Sequence, residues 1–348
     1  MAFHPCYLTT HLGSLPHADG KAICERIVST LDIPAWPQLP RRSFRENMYT
    51  QYSPSLPAIG LDEASGMLAF CARRDLASAL DQFEAVCRAE DLERFGLRAE
   101  FAAGFFQMLE VLRKTPGEFV KGQVTGPISF GLTVTGQNLR ASLYDERLAE
   151  VIVQNMAMNA RWQVRQLRAA RPQVMIFVDE PYLASFGSAY IRLSCERVVA
   201  ILDEVFAAIH AEGALAGIHC CANTDWSVLL ATQADILSFD AFTCLEALAH
   251  YPADLRAFLD QGGCVAWGLV PNDAEIFQAT PTLLAQRLRK GLELIYQHAR
   301  ARGISLRAEE FAARSLLTPI CGLGAASPAV ADCVLDMLVQ TGEILKRG

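Results

Sequence analysis

Charge is scarce in this sequence: only 20% of its 348 residues are Asp, Glu, Lys or Arg, and no block of like charge occurs anywhere. Long apolar runs are missing too. The uncharged stretch from Ser315 to Ala331 is broken by Pro and Gly, so it does not read as a membrane span. The first 18 residues carry no Asp, Glu, Lys or Arg, yet they lack the basic start and continuous apolar segment of a secretory signal. A net charge of −7, from 31 basic and 38 acidic residues, makes nucleic acid and anionic membranes poor partners. There are no internal repeats, low-complexity tracts or Gly/Ser-rich linkers, and no G-x-G-x-x-G follows a first strand. These absences argue against a second folded domain and against a dinucleotide-binding sheet. A soluble, cytoplasmic protein is the expectation.

What is present is apolar. Hydrophobic residues make up 51% of the chain and mean hydropathy is +0.19, which excludes a disordered chain and calls for a large core. At roughly 100–200 residues per domain the length allows two or three domains, and one large α/β barrel equally well. Eleven Cys is an odd number without the regular spacing of a disulfide scaffold. They read as reduced thiols, most of them small core residues and a few of them ligands.

From about residue 118 onward, short β-rich runs alternate with long helical patterns, the signature of repeated βα units. The runs are Phe119–Val124, Val174–Val178, Leu215–His219, Ile236–Phe239, Cys264–Val270 and Leu316–Ile320, preceded by the weaker Tyr7–Leu12 and Ile33–Gln38. Between them, Glu146–Ala170, Cys195–Glu212 and Pro281–Arg302 place apolar residues at three- and four-residue spacing. Residues 41–116 break the rhythm with a polar stretch and then a charged, mostly helical region. The expected fold is therefore a single (β/α)8 TIM barrel spanning residues 1–348, with 41–116 as a helical insertion after the second strand. The polar RENMYTQYSP within that insertion is the candidate cover for a pocket.

In such a barrel, chemistry sits at the C-terminal ends of the strands. Those ends hold Gly13-Ser14, Thr125-Gly126-Pro127, Asp179-Glu180-Pro181, His219-Cys220-Cys221, Asp240, Pro271-Asn272 and Cys321-Gly322. Alternate residues near a strand end point the same way, so His219 and Cys221 can turn toward one metal ion while Cys220 faces away. Cys321 supplies a second thiolate across the barrel, and Asp240 a weak oxygen ligand. Two thiolates, an imidazole and one open or loosely held position make a zinc site of the catalytic kind, suited to activating a thiol. Cys220, Cys244, Cys264 and Cys333 read as core residues instead.

Beyond this reading, the motifs THLGSLP, KGQVTGPIS, FVDEP, IHCCANT and TPICGLG occur in order along the chain. Together they resemble the superfamily that contains the C-terminal catalytic barrel of cobalamin-independent methionine synthase and the uroporphyrinogen decarboxylase-like methylcorrinoid:thiol methyltransferases. The resemblance runs from Leu12 to about Cys333. It implies Zn2+ on His219, Cys221 and Cys321, with Asp240 where the synthase pattern has the longer Glu. It further implies that Ser14 and Asp179, with Gly13 and Glu180 beside them, hold the amino-acid part of homocysteine. The implied reaction moves a methyl group to that thiol, and no catalytic group is needed beyond the metal-bound substrate thiolate.

Two departures point to the methyl donor. The chain is too short for the second, folate-assisting barrel of the full-length synthase, and Leu269 stands where the family has its histidine proton donor. Methyltetrahydrofolate needs a proton on its departing nitrogen, and a methylcorrinoid does not. A methylcorrinoid, carried by a partner protein, is therefore the expected donor, with methyltetrahydrofolate the variant if another acid such as Asp273 substitutes. The rival reading is a metal-free uroporphyrinogen decarboxylase-like lyase, which needs arginines on the first loop. THLGSLPHAD has none, and Arg41, Arg42 and Arg45 would have to stand in. A barrel that only binds zinc or a corrinoid protein would not need Ser14 and Asp179. Other small thiols would present the same sulfur as homocysteine.

Overall fold

A computed structural model describes residues 3–71, 76–136, 139–188 and 191–347. Seven strands form one parallel sheet: β1 (Leu8–Thr9), β4 (Phe119–Thr125), β5 (Gln173–Asp179), β6 (Leu215–Cys220), β7 (Ile236–Asp240), β8 (Cys264–Val270) and β9 (Ser315–Pro319). Their order across the sheet is β1-β9-β8-β7-β6-β5-β4. The remaining two, β2 (Ile59–Asp62) and β3 (Met67–Phe70), form a separate antiparallel hairpin. Parallel strands covered on both faces read as continuous apolar runs, and this sheet is buried that way. Met175, Phe177, Ile236, Ala266 and Leu316 make an inner cluster, while Ile176, Val178, Ile218, Leu237 and Phe239 pack outward against the helices. Cys220 and Cys264 are buried core residues as expected, and Cys244 and Cys333 pack half-buried against the core.

The three long helical patterns form helices at Glu146–Arg168, Cys195–Ala211 and Pro281–Ala301. Each starts at a side-chain cap: Asp145 accepts from the amides of Arg147 and Leu148, Ser194 from Arg197, and Thr280 from Leu283. Among the described residues no helix is long and apolar enough to cross a membrane.

Two expectations change. Ile33–Gln38 is not an eighth ladder strand. Its prolines, Pro34 and Pro37, have no N–H to donate, and what remains is scattered pairing to both sheet edges. On one side the Ile33 amide donates to the Thr9 carbonyl at 3.0 Å and the Gln38 amide to Gly13 at 3.0 Å; on the other, Lys121 donates to Pro34 at 2.9 Å and Trp36 to Lys121 at 3.3 Å.

Residues 41–116, expected to be helical, include helices at Leu76–Arg88 and Ala103–Leu112 but also the β2–β3 hairpin. Its strands are only four residues long and mostly half-exposed, so they carry no apolar signature. Their turn is set by Asp62, whose carboxylate accepts from the Ala64 amide, and by Gly66 at φ +65°.

The helix Ala103–Leu112 lies hard against residues 33–38: a Cβ on Gly104 would stand 2.0 Å from the Pro37 carbonyl oxygen. Backbone cannot yield as a flexible side chain does. Gly104→Ala should lower unfolding free energy by about 1–3 kcal/mol, measured as a shift in the urea midpoint at unchanged slope; an unshifted midpoint would show that this helix is not docked as described.

Candidate metal centre

His219 lies near the end of β6, and Cys221 one residue past it. Cys321 follows β9 by two residues, and β9 is three places from β6 in the sheet. In a flat sheet three steps amount to ~14 Å. The imidazole and thiol atoms of His219, Cys221 and Cys321 nevertheless all lie within 4.8 Å of one another, so the sheet must curl to face one strand end toward the other.

The local chemistry fits a metal ion. His219 is buried; its Nδ1 lies 3.0 Å from Ser238 Oγ, and its Nε2 has no hydrogen-bond partner. An N–H on Nδ1 directed to Ser238 leaves the Nε2 lone pair available for coordination. The Cys321 thiol and the His219 imidazole favour a thiolate on Cys221 and hold its pKa well below the ordinary thiol range, whereas Cys321 is raised by that neighbouring thiolate and by burial. Two thiols gathered beside an unpartnered imidazole nitrogen form a donor set that suits Zn2+.

Asp240 stands apart from this group. Its carboxylate accepts from the Thr243 amide at 2.9 Å and from the Thr243 hydroxyl, closing the turn after β7.

His219, Cys221 and Cys321 open into a cavity of about 570 Å³ whose lining includes Leu12, Ser14, Arg41, Glu46, Met48 and Asp179. A larger cavity of about 730 Å³, between the helices Leu76–Arg88 and Glu146–Arg168, contains none of these three residues. Asp179 ends β5, and its Oδ1 is buried without a partner. Burial raises its carboxyl to about 6, against the opposing pull of Lys121 and His219. Lys121, fully buried on β4 with its ammonium 3.3 Å from Gln123 Oε1 and 4.7 Å from the Phe177 ring centroid, is brought down to about 8 by burial. Sequence reading passed over it; a lysine inside an apolar strand run was the available signal.

The other expected substrate residues are placed differently. Ser14 lines the cavity with its hydroxyl accepting from the Gly324 amide at 3.2 Å. Gly13, expected to help hold the amino-acid part of the substrate, donates its amide to His11 Nδ1 at 3.1 Å, while His11 Nε2 meets the Ala35 carbonyl at 3.0 Å. That pairing fixes a neutral His11, held down to about 3 by burial first and by Lys121 second. Gly13 is glycine for its backbone: φ is +120°, and a Cβ would meet the Gln123 side chain at 2.9 Å.

Glu180 is fully buried and does not line the cavity. Its carboxylate accepts from the Ile128 amide at 2.9 Å, the Ser129 amide at 2.7 Å and the Ser129 hydroxyl at 2.6 Å, at the start of the helix Pro127–Thr133. Burial raises it to about 7, and those donors oppose the rise. Gly126 leaves the room it needs, since a Cβ there would fall 2.1 Å from the Glu180 carboxyl carbon. Thr125 Oγ1 holds the Met48 carbonyl at 2.5 Å, so Thr125-Gly126-Pro127 organises neighbouring segments.

Glu46, Asn47 and Met48, within the polar stretch expected to cover a pocket, do line the cavity. Glu46 was not singled out from sequence. It is 3% exposed, its Oε2 has no partner, and burial raises its pKa.

No family model and no curated protein matches the sequence. Among solved structures, the whole chain is similar to a B12-independent methionine synthase from Shewanella sp. W3-18-1 in complex with selenomethionine. The identity is 16%, coverage 99% of this chain and 98% of that one, and the TM-score 0.60. It is also similar to a putative vitamin-B12 independent methionine synthase from Listeria monocytogenes, at 12% identity, 100% and 98% coverage and a TM-score of 0.57. At these identities the likeness is one of fold, and it agrees with the resemblance carried by the motifs. Both matched chains are about as long as this one, so length does not discriminate between methyl donors.

Because Glu180 meets only donors, Glu180→Gln turns an amide NH2 toward a buried N–H. The loss should be about 1–3 kcal/mol of unfolding free energy in metal-free protein, read by chemical denaturation; equal stability would remove Glu180 from this role. The chain thus has the fold of B12-independent methionine synthase-like structures, with two thiols and an imidazole gathered at one end of its sheet.

Proposed function

We propose that the chain is a zinc-dependent methyltransferase that methylates a small thiol, with homocysteine as acceptor and methionine as product. The observation that carries this reading is the convergence of His219, Cys221 and Cys321 within 4.8 Å at a cavity wall, with the imidazole Nε2 unpartnered. His219, Cys221 and Cys321 would hold Zn2+, which would favour the ionised form of a substrate thiol at neutral pH, and the two protein sulfurs would donate the electron density that keeps that thiol nucleophilic.

The rest of the work falls to the chain. Ser238 orients His219. Asp179, with its free Oδ1, meets the substrate ammonium, and Ser14 lies on the same wall for the carboxylate. Leu12, Pro40, Met48 and Pro181 give the cavity apolar surface that keeps water from the sulfur.

The donor we favour is a methylcorrinoid on a partner protein. Leu269 is fully buried in the core away from the cavity, and His219 is the only histidine among the described lining residues. A donor that departs without taking a proton fits such a wall. Methyltetrahydrofolate is the second reading, supported by Glu46: a buried carboxyl with a raised pKa and a free oxygen on the cavity wall could deliver a proton. The lyase reading loses its arginines. Arg41 is bound to three backbone carbonyls, Arg42 faces Glu46 at 3.8 Å, and Arg45 pairs with Glu63 at 2.7 Å.

Purified protein should carry about one zinc per chain, and Cys221→Ser and Cys321→Ser should each lose it while remaining folded. Methionine should form from homocysteine with methylcobalamin, and Glu46→Gln should leave that rate unchanged. If methyltetrahydrofolate is the better donor and Glu46→Gln lowers its rate by roughly 10²-fold or more, the second reading replaces the first. A folded, active, metal-free chain would falsify the mechanism.

A further inference from the structure

The loop that carries Cys321 has little of its own to hold it. From Cys321 to Ala326 the sequence is Cys-Gly-Leu-Gly-Ala-Ala, and Leu323, at 1% exposure, is its one large anchored side chain. The loop is nevertheless pressed against its surroundings. A Cβ on Gly322 would stand 2.2 Å from Ser14 Oγ, and one on Gly324 would stand 2.9 Å from Pro40 Cγ.

Hydrogen bonds from distant segments hold this backbone. The Leu323 amide donates to the Ser14 carbonyl at 2.8 Å, and Asn272 Nδ2 donates to the Gly322 carbonyl at 3.1 Å. Arg41 contributes most. Its Nε reaches the Gly324 carbonyl at 3.3 Å, and its Nη2 reaches the carbonyls of Ala325 at 3.1 Å and Ala326 at 2.7 Å. One planar fork thus collects three successive carbonyls, a pattern that a lysine ammonium on a flexible stem does not reproduce.

Arg41 also lies four residues before the polar RENMYTQYSP segment, which reaches the cavity at Glu46–Met48, where Thr125 ties down the Met48 carbonyl. This part of the chain is therefore held at Arg41 against the Cys321 loop and at Met48 against the end of β4.

We propose that Arg41 is a positioning residue for the metal centre: its guanidinium fixes the 324–326 backbone and thereby holds Cys321 in reach of Cys221 and His219. The inference rests on the metal reading above. It adds a residue that acts on the Cys321 loop through backbone carbonyls and is not one of the three side chains that would hold the metal.

The test uses the full chain and Co2+ as a spectroscopic stand-in for zinc. In the native protein both thiolates should contribute to the near-ultraviolet sulfur-to-cobalt charge-transfer band. In Arg41→Ala and in Arg41→Lys, intensity per bound cobalt should fall by about half as Cys321 drops out, and affinity should fall roughly 10–100-fold. A merely stabilising role would lower the melting temperature of the metal-free variants while leaving intensity per bound cobalt intact, and that result overturns the proposal. Full rescue by Arg41→Lys also overturns it, because charge alone would then suffice. A native chain with no thiolate band overturns the metal reading itself. The clamp is then judged by amide exchange at Leu323 and Gly324 in metal-free protein, which should quicken roughly tenfold in Arg41→Ala; unchanged exchange removes the clamp.

Discussion

Everything at this site depends on bringing the end of β9 opposite the end of β6. No short-range sequence relation does it: about a hundred residues and two intervening strands separate Cys221 from Cys321. The curl of the parallel sheet does, and it is set by the twist of its strands and by the side chains that fill its concave face. Met175, Phe177, Ile236, Ala266 and Leu316 support that curvature from within, as the helices do from outside. The thiols are therefore only as close as the core is well packed, so the chemistry of the site is tied to the packing of the fold.

The alternation of strands and helices was legible because each element has a strong period. β8 matches its sequence reading residue for residue, and the neighbouring strands differ by one or two. Failures came where backbone chemistry, which periodicity does not report, takes over. Pro34 and Pro37 thin the ladder at residues 33–38, and an Asx turn with a left-handed glycine makes a hairpin out of four-residue strands with no clear apolar face.

The site divides in the same way. His219, Cys221 and Cys321 could be read from their positions at strand ends. Asp240 and Glu180 sit at strand ends too and Gly13 in the loop after β1, but their hydrogen-bonding groups are engaged with Thr243, the helix Pro127–Thr133 and His11 respectively. Which polar group at a strand end faces the cavity and which serves the scaffold depends on partners far away in sequence. Lys121 and Glu46 were missed for the converse reason: each looks like an ordinary charged residue in sequence, and only burial gives it significance.

The proline-bearing segment 33–38 has one more consequence. A seven-stranded open sheet has two edges, β1 and β4, whose unpaired amides and carbonyls would invite strands from other molecules. The same six residues touch both edges, and a backbone interrupted by two prolines is a poor template for further pairing. A feature that weakens this wall as a ladder thus also leaves the seam of the sheet a poor docking edge for a strand from another molecule.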